Sequence, residues 1–342
     1  MVASVPLVVS NSKFIPLETR QDKIVWGIIG CGNVAEVKSG PAFQKCNGSE
    51  LLAVMRRDAE KAEDFARRHQ VPLWYDTASE LLANAAITAV YIATPPSSHL
   101  KLALQALEAR KDVYLEKPMV LSVKEALILK KAVQESSNKL VVAHYRRHLP
   151  MYLKVKDLID SNSIGTIQCA DIKFFRAHRP DSDWRLDASI SGGGYFQDIA
   201  PHQIDLMYHF FGEYDSVKGF AINPETNYAA SDTVNGIMAF KNGVQFRGIW
   251  NFNAAHAAEK DNCTIYGSNG YISFSFFGNE VVVVSDENTS TFDFKHPEHI
   301  QQPFIQETVD YFLGKRDNPC TVEEGLMVNE VMETFSNKIN II

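Results

Sequence analysis

Ile24-Val25-Trp26-Gly27-Ile28-Ile29-Gly30-Cys31-Gly32-Asn33-Val34-Ala35 is the stretch that decides the fold. Its apolar first half predicts a buried parallel strand, because such a strand is covered on both faces. The spacing Gly-x-Gly-x-x-Ala that follows is typical of a tight turn into a helix whose N–H groups and dipole hold a dinucleotide pyrophosphate. The alternative is an ordinary glycine turn after a core strand. The residues expected to contact a cofactor here are Gly30, Gly32, Asn33 and Val34.

The residue after the second predicted strand, Glu50 to Met55, selects between nicotinamide cofactors. In folds of this kind it faces the adenosine ribose, and here it is Arg56, followed by Arg57. A guanidinium binds a 2′-phosphate bidentately, whereas a carboxylate would repel it. The sequence therefore predicts NADP(H) as the preferred cofactor, with NAD(H) possible. The alternative is that both arginines are solvated and that Asp58 accepts the ribose hydrogen bonds.

Composition narrows the class of protein. The length of 342 residues suggests about two domains, and 45% of the residues are hydrophobic. The net charge of -7 provides no basic surface for nucleic acid. No apolar segment approaches the roughly 20 residues of a membrane span. Residues 1–21 lack the basic region and cleavage site of a signal peptide, so we expect an N-terminal extension and a cytoplasmic protein. Five cysteines without Cys-x-x-Cys spacing predict no disulfide framework and no metal site.

The rhythm of the sequence changes after Pro150. From Lys23 to Tyr145, short apolar runs alternate with helical stretches, which predicts an α/β Rossmann dinucleotide-binding domain over residues 22–148. Beyond it, strands separated by turns predict an α+β domain over residues 149–342 with a large, mostly antiparallel open sheet. Helices at Ile305 to Leu313 and Glu323 to Lys338 are expected to close it.

One strand of the second domain indicates an oligomer. In Val244 to Phe252, alternation places four apolar side chains on one face, which we expect to be buried. The opposite face is mixed, and whole interfaces are only about as apolar as ordinary surface. We therefore expect a homodimer or homotetramer through this sheet; the alternative is a partly covered solvent face of a monomer. The inward residues are Val244, Phe246, Trp250 and Phe252, and the outward residues are Gln245, Arg247, Ile249 and Asn251.

Three short segments carry chemistry at expected strand ends, where ligands bind in such sheets. Thr94 to His99, with two prolines, predicts a rigid loop beside a nicotinamide, or else a plain proline turn with a serine capping the next helix. In Glu116-Lys117-Pro118, a buried ammonium could stabilise charge on a reacting oxygen. Asp198 and His202 lie four residues apart, so a helix would place them on one face, where the carboxylate could orient the imidazole for proton transfer. The alternative is a satisfied polar histidine on an amphipathic helix.

Taken in order, these motifs resemble the Gfo/Idh/MocA oxidoreductases, named for glucose-fructose oxidoreductase and inositol dehydrogenase. The resemblance runs from about Lys23 to the end of the chain. It implies that Lys117 is the catalytic lysine, that His202 is the acid/base with Asp198 as its partner in holding substrate, and that the bond before Pro118 is cis. Where the family has glycine between the aspartate and the histidine, this chain has Ala200-Pro201. The further cofactor contacts expected are Thr94, Pro95, Pro96, His99, Glu116 and Lys117, and the substrate contacts are Tyr145, Trp184, Arg185, Asp198 and His202.

The activity implied by the resemblance is that of an NADP(H)-dependent dehydrogenase or reductase. It would move a hydride between nicotinamide and a CH-OH or C=O group of a sugar, polyol or related small alcohol. Two alternatives remain: a sensor that binds the cofactor without catalysis, and a glycoside hydrolase that retains its nicotinamide. The presence of Lys117, Asp198 and His202 speaks against the sensor.

Overall fold

The computed structural model describes residues 22–177, 187–222, 230–286 and 288–337. The expected N-terminal extension and the two predicted substrate contacts Trp184 and Arg185 lie outside this part of the chain. Within it the chain forms two sheets, one of six strands and one of eight.

The six-stranded sheet is parallel, as the alternation of apolar runs and helical stretches predicts. Its strands are β1 (Ile24–Ile29), β2 (Ser49–Met55), β3 (Leu73–Tyr75), β4 (Ala89–Ile92), β5 (Asp112–Leu115) and β6 (Leu140–Val142). Their spatial order is β3-β2-β1-β4-β5-β6. Successive strands are added on one side of β1 up to β3 and on its other side from β4 onward, so the strand order reverses between β1 and β4. The Rossmann-type fold is confirmed, and its ligand crevice is expected at that reversal, beyond the carboxyl ends of the strands.

Local sequence sets where the connecting helices begin. Asp58, Thr77 and Ser122 each accept a hydrogen bond from the backbone N–H three residues on, which satisfies a helix N-terminus. The helices are α1 (Ala42–Lys45), α2 (Ala59–His69), α3 (Ala78–Ala83), α4 (His99–Glu108) and α5 (Val123–Glu135).

A helix follows the glycine turn, as expected, but it is short and largely π-helical. A π-helical turn covers Ala35–Ser39, and the four-residue α1 follows only after Pro41. Proline has no N–H to continue the ladder of hydrogen bonds, so the first helical segment ends there. Phosphate binding at this turn therefore depends on the N–H groups of the turn itself more than on a long helix dipole.

The second sheet has eight strands and is mostly antiparallel, as expected. Its order is β14-β13-β12-β11-β7-β10-β9-β8, and only the pair β10 and β7 is parallel among the strands described. A hairpin joins β11 and β12, where Gly267 pairs with Gly270. The strands are β7 (Ile167–Ala177), β8 (Tyr214–Ile222), β9 (Thr233–Phe240), β10 (Gln245–Ala254), β11 (Lys260–Gly267), β12 (Gly270–Phe274), β13 (Glu280–Ser285) and β14 (Thr289–Asp293).

The last helix packs on the second sheet through one aromatic side chain. Phe335 is fully buried, and a Cβ on Gly236 would lie 2.3 Å from its ring carbons. Glycine at position 236 is therefore required by the close approach of this ring to the sheet. The helices of this half are α6 (Pro150–Asp160), α7 (Ala188–Ser191), α8 (Tyr195–Phe211), α9 (Gln302–Phe312) and α10 (Val322–Phe335).

The two faces of β10 divide as the alternation predicts. Phe246, Trp250 and Phe252 are buried, whereas Gln245 and Arg247 are exposed. The inward face packs on α8, since the Trp250 Nε1–H donates to Gln203 Oε1 at 2.6 Å.

Across the described residues, no helix combines the length and the apolar character that a bilayer span requires. The five cysteines are free thiols, four of them buried.

Candidate functional site

The glycine turn has the shape that a pyrophosphate needs. Gly30 has a φ of +99°, which favours glycine, and a Cβ there would lie 2.8 Å from Thr94 Cγ2 in the loop after β4. At Gly32 the position of a Cβ has no protein atom within 4 Å, so a ligand can approach this backbone closely. Asn33 is exposed and Val34 half-buried at the same edge. The turn therefore fits the phosphates of a dinucleotide.

Arg56 lies over this turn. Its Nη1 donates to the Cys31 carbonyl oxygen at 3.4 Å, so the guanidinium reaches from the end of β2 to the residue between the two glycines. Arg57 is exposed. Asp58, the alternative ribose acceptor, receives a hydrogen bond from Lys61 N and forms an ion pair with Lys61 Nζ at 2.8 Å. The carboxylate is thus engaged in starting α2.

His99 connects the loop Thr94 to His99 with the segment Glu116 to Pro118. The sequence predicts that this histidine contacts the cofactor. His99 is fully buried, with Nε2 2.8 Å from the Thr94 carbonyl oxygen and Nδ1 3.0 Å from that of Pro118. Pro95 is exposed and Pro96 buried in the same loop. Because both ring nitrogens face backbone oxygens, His99 positions two loops and presents no free group to a ligand. The predicted contact of His99 with the cofactor stays a prediction.

Glu116 also forms hydrogen bonds with groups inside the protein. Its Oε1 accepts hydrogen bonds from Tyr91 Oη and Gln301 Nε2, each at 2.6 Å, and its Oε2 accepts one from Lys117 N at 3.1 Å. Glu116 is 6% exposed, and its predicted contact with the cofactor stays a prediction. It joins β4 and Gln301, the residue before α9, to the backbone of the lysine.

Lys117 and Asp198 meet at the end of β5. The Lys117 Nζ donates to Asp198 Oδ1 at 2.7 Å and to the Asp198 carbonyl oxygen at 2.9 Å. Burial opposes the ammonium charge, but the carboxylates of Asp198 and Glu116 raise the pKa of Lys117 above its ordinary value. The bond Lys117–Pro118 is cis, as the resemblance implies. The lysine is therefore a charged hydrogen-bond donor held in a fixed position.

His202 lies one turn after Asp198 on α8. The residue is 5% exposed, and its ring meets the Tyr145 ring edge-on at 5.0 Å between centroids. Burial, then the charges of Lys117 and Arg146, lower the pKa of His202 well below its ordinary value. The imidazole is consequently neutral near pH 7 and able to accept a proton.

The expected pairing of Asp198 with His202 differs in the structure. Asp198 holds Lys117, and the buried Nδ1 of His202 has no hydrogen-bond partner among the residues described. A carboxylate next to an ammonium gains more from that contact than from a neutral imidazole. Helix α8 begins at Tyr195, and Pro201 of the Ala200-Pro201 replacement lies inside it.

A cavity of about 430 Å³ has Asp198 in its wall. It lies between α8 and the inner face of the second sheet, and its walls are mainly aromatic with a few polar side chains. Such a mixture suits a small ligand with polar groups. The lining residues are Phe174, Arg176, Ala177, Tyr195, Asp198, Ile199, Phe252, Glu259 and Phe277.

Sequence reasoning missed a buried charge cluster behind the site. Arg147 donates to both oxygens of Asp205 at 2.7 to 3.1 Å and to Glu324 Oε1 at 2.6 Å. His144, 1% exposed, has Nδ1 3.8 Å from Asp205 Oδ1. The sequence offered one sign of this cluster, because Asp205 follows His202 by three residues on the same helix face. Its partner Arg147 and the further residue Glu324 are far away in sequence.

A metal centre was not expected. In the ranges the structure describes, no group of three or more His, Cys, Asp or Glu side chains could hold an ion.

Comparisons with known proteins agree with both halves of the fold. Residues 24–144 match the family described as an oxidoreductase family with an NAD-binding Rossmann fold, and residues 152–273 match the GFO/IDH/MocA C-terminal domain. Oxidoreductase P35 of Formosa agariphila is 52% identical over 321 residues, which cover 92% of this chain and 99% of that protein.

Two solved structures are similar in fold. A 3-ketoreductase from Actinomadura kijaniata, solved with NADP and TDP-benzene, has a TM-score of 0.80 at 22% identity and covers 93% of this chain and 99% of its own. Levoglucosan dehydrogenase, solved with NADH and levoglucosan, has a TM-score of 0.81 at 22% identity, with coverages of 92% and 96%.

Proposed function

Since this chain belongs to the Gfo/Idh/MocA family of oxidoreductases, we propose that it oxidises a CH-OH group, or reduces the matching carbonyl, of a sugar, polyol or related small alcohol. The observation that carries the proposal is that Asp198, in the wall of a cavity of about 430 Å³, holds the Lys117 ammonium and lies one helical turn before His202 on α8. A charged donor and a neutral imidazole at one locus are what proton transfer beside a hydride transfer requires. The 3-ketoreductase and the levoglucosan dehydrogenase support a sugar-like substrate.

The residues divide the reaction between them. Lys117 donates a hydrogen bond to the reacting oxygen and stabilises the negative charge that develops there. His202 takes the hydroxyl proton in oxidation and returns it in reduction. Asp198 holds the ammonium in place, and Tyr145 packs against the imidazole. A nicotinamide bound beyond the glycine turn supplies the hydride chemistry.

A turnover screen tests this proposal. Purified protein is incubated with a panel of sugars, sugar lactones, polyols, inositols and dihydrodiols, each with NADP and NADPH and with NAD and NADH, and absorbance of the reduced cofactor is followed. Turnover of at least one member is expected. Cofactor binding without turnover on any member would favour the sensor, and glycoside cleavage without net cofactor change would favour the hydrolase.

We also propose that NADP(H) is the preferred cofactor, held by Arg56 at the ribose. Arg56→Asp is expected to weaken NADPH binding by about ten- to hundredfold and to reverse the preference, because a charge-assisted phosphate contact is replaced by repulsion. Fluorescence titration of NADPH and NADH measures both affinities. Arg67→Asp on α2 makes the same charge change at a side chain 73% exposed and should leave the ratio unchanged. Equal affinities in the parent protein would contradict the assignment.

The outer face of the second sheet is proposed as the subunit interface. It carries the exposed apolar side chains Phe220 and Ile237, 43% and 56% exposed, beside a groove of about 570 Å³ that also contains Arg247 and Ile249. We expect light scattering after size exclusion to give two or four times the chain mass of 38.3 kDa. Ile237→Lys should lower that mass, whereas Leu127→Lys, 52% exposed on α5, should not. A parent protein that runs as a monomer at micromolar concentration would rule this interface out.

A further inference from the structure

A buried hydrogen-bond network surrounds the Glu116 carboxylate, directly before Lys117. Its Oε1 accepts hydrogen bonds from Tyr91 Oη and Gln301 Nε2, each at 2.6 Å, and its Oε2 accepts one from the Lys117 backbone N–H at 3.1 Å. Tyr91 and Gln301 are 0% and 1% exposed. One carboxylate oxygen is therefore fixed by two interior side chains, while the other oxygen holds the backbone of the lysine.

The two side chains that donate to this carboxylate are themselves fixed in direction. The Gln301 Oε1 accepts the Tyr114 hydroxyl at 3.0 Å, so the amide nitrogen of Gln301 is the end that faces Glu116. The Tyr91 Oη accepts a hydrogen bond from Ser39 Oγ at 3.1 Å, so its own proton points at the carboxylate. Such a chain of buried hydrogen bonds favours a single geometry, because each bond polarises the next in a low dielectric.

The network joins separate parts of the chain. Tyr91 lies on β4, Glu116 follows the last residue of β5, and Gln301 is the residue before α9 in the C-terminal half. The Gln301 backbone N–H also donates to the Lys38 carbonyl oxygen at 3.2 Å, in the π-helical turn that follows the glycines. Lys117, a residue of the first domain, is thus held in part by a residue of the C-terminal half.

We propose that Gln301 and Tyr91 are positioning residues for the reaction, which fix Lys117 through the Glu116 carboxylate. This inference rests on the proposed role of Lys117. The lysine needs a fixed backbone because its Nζ has to reach the reacting oxygen while it donates to Asp198 Oδ1 at 2.7 Å. A misplacement of about 1 Å can lower a rate by about a hundredfold, even when its cause lies away from the reacting atoms.

Glu116 also acts on the lysine through its charge, which helps to raise the pKa of Lys117. Charge and position can be separated, because the side chains of Gln301 and Tyr91 are neutral. Replacing either of them removes a hydrogen bond to Glu116 and leaves the carboxylate in place. A loss of turnover in such a variant therefore reports the position of the lysine.

The test compares single substitutions in the full-length protein. Gln301→Met keeps the approximate length of the side chain and removes both of its hydrogen bonds, so kcat should fall by about ten- to hundredfold with KM near the parent value. Tyr91→Phe removes one hydroxyl and should lower kcat by about tenfold, the usual worth of a hydrogen bond to a charged group. Steady-state kinetics on a substrate from the turnover screen measures both quantities.

Gln306→Met is the matched control. Gln306 lies on α9 and also connects this part of the chain to the first domain, since its Oε1 accepts from Asn47 N at 2.8 Å and its Nε2 donates to the Asn47 carbonyl oxygen at 3.2 Å. The substitution removes the same two types of hydrogen bond without touching Glu116. The kcat of Gln306→Met should therefore match that of the parent protein.

A double-substitution cycle shows whether the effect passes through the lysine. With Lys117→Ala in place, adding Gln301→Met should change kcat by no more than about twofold, because the group that Gln301 positions is gone. A general loss of stability would instead add its effect to that of Lys117→Ala.

Hydrogen exchange of the protein without cofactor gives a readout that does not depend on turnover. Mass spectrometry follows the peptide that contains Lys117, whose backbone amide is protected by Glu116 Oε2. This amide should exchange faster in Gln301→Met than in Gln306→Met, because its acceptor is less firmly held.

Three results would overturn the inference: parent values of kcat in both Gln301→Met and Tyr91→Phe, equal losses in Gln301→Met and Gln306→Met, or additive losses in the cycle with Lys117→Ala. If Gln301→Met does not fold, Tyr91→Phe decides in its place, since it removes a single hydroxyl. The proposed function fails separately, if Lys117→Ala turns over at the parent rate. In that case the exchange rate of the Lys117 amide still tests whether the network holds the lysine.

Discussion

Replacing Lys117 by alanine is expected to lower kcat by about a hundredfold or more, while cofactor affinity stays near that of the parent protein. The ammonium is the charged donor at the locus, and removal of one preorganised donor to a developing oxyanion has an effect of this size. Its charge is secured by Asp198 and Glu116, which raise the pKa of Lys117 against the effect of burial. Steady-state kinetics on a substrate from the turnover screen, with cofactor titration by fluorescence, measures both quantities.

Lys111 provides a matched control for this variant. It is also a buried lysine of the first sheet's domain, 6% exposed, but its Nζ donates to the carbonyl oxygens of Asn84 and Ile87 away from the cavity. Lys111→Ala should reduce the free energy of unfolding and leave kcat of the folded protein near the parent value. Near-normal turnover in Lys117→Ala would refute the assignment.

His202→Ala is expected to lower kcat of alcohol oxidation by about a hundredfold or more, the usual scale for a lost proton-transfer group. Because the pKa of His202 is lowered, the imidazole is in its accepting form throughout the neutral range, and activity should fall only as the pH drops through that lowered pKa. The variant should lose this acid limb. A pH series of kcat/KM for the parent and the variant measures both effects.

His209 is the control for this substitution. It lies on the same helix, two turns after His202, and burial lowers its pKa to about 4. His209→Ala removes a second partly buried imidazole of α8 without touching the locus, so turnover and the acid limb should match the parent. A similar loss of activity in both histidine variants would mean that damage to α8, not loss of a base, explains the effect.

The local signals in the sequence predicted the fold well because each depends on neighbours in the chain. The apolar run of β1 and the glycines after it define the first strand and its turn, and the alternation in β10 correctly divides its buried and exposed faces. The helix after the turn was the exception. Pro41 interrupts it after a single π-helical turn, a break that the Gly-x-Gly-x-x-Ala spacing does not reveal.

The sequence did not predict which residues of the candidate site contact one another. The spacing of Asp198 and His202 correctly predicts one helix, but it says nothing of Lys117, 81 residues earlier, which takes the carboxylate. His99 and Glu116 occur in the segments expected to line the cofactor, yet both are enclosed by protein groups, one of them Gln301 from the other end of the chain. The structure therefore adds interior hydrogen-bond partners that the motifs do not reveal, and contact of either residue with the cofactor stays a prediction.

The sequence by itself determined the order of the elements, the glycine turn, the arginine that follows the second strand and the residue types available for proton transfer, because these follow from short-range periodicity and motif spacing. Only the tertiary structure decided which charges neutralise each other. Arg146 and Arg147 are adjacent and equally buried, but one faces two carboxylates and the other faces a backbone oxygen and aromatic rings. Electrostatic pairing depends on distances between side chains far apart in the chain, and those distances are fixed only when both sheets pack against α8 and α10.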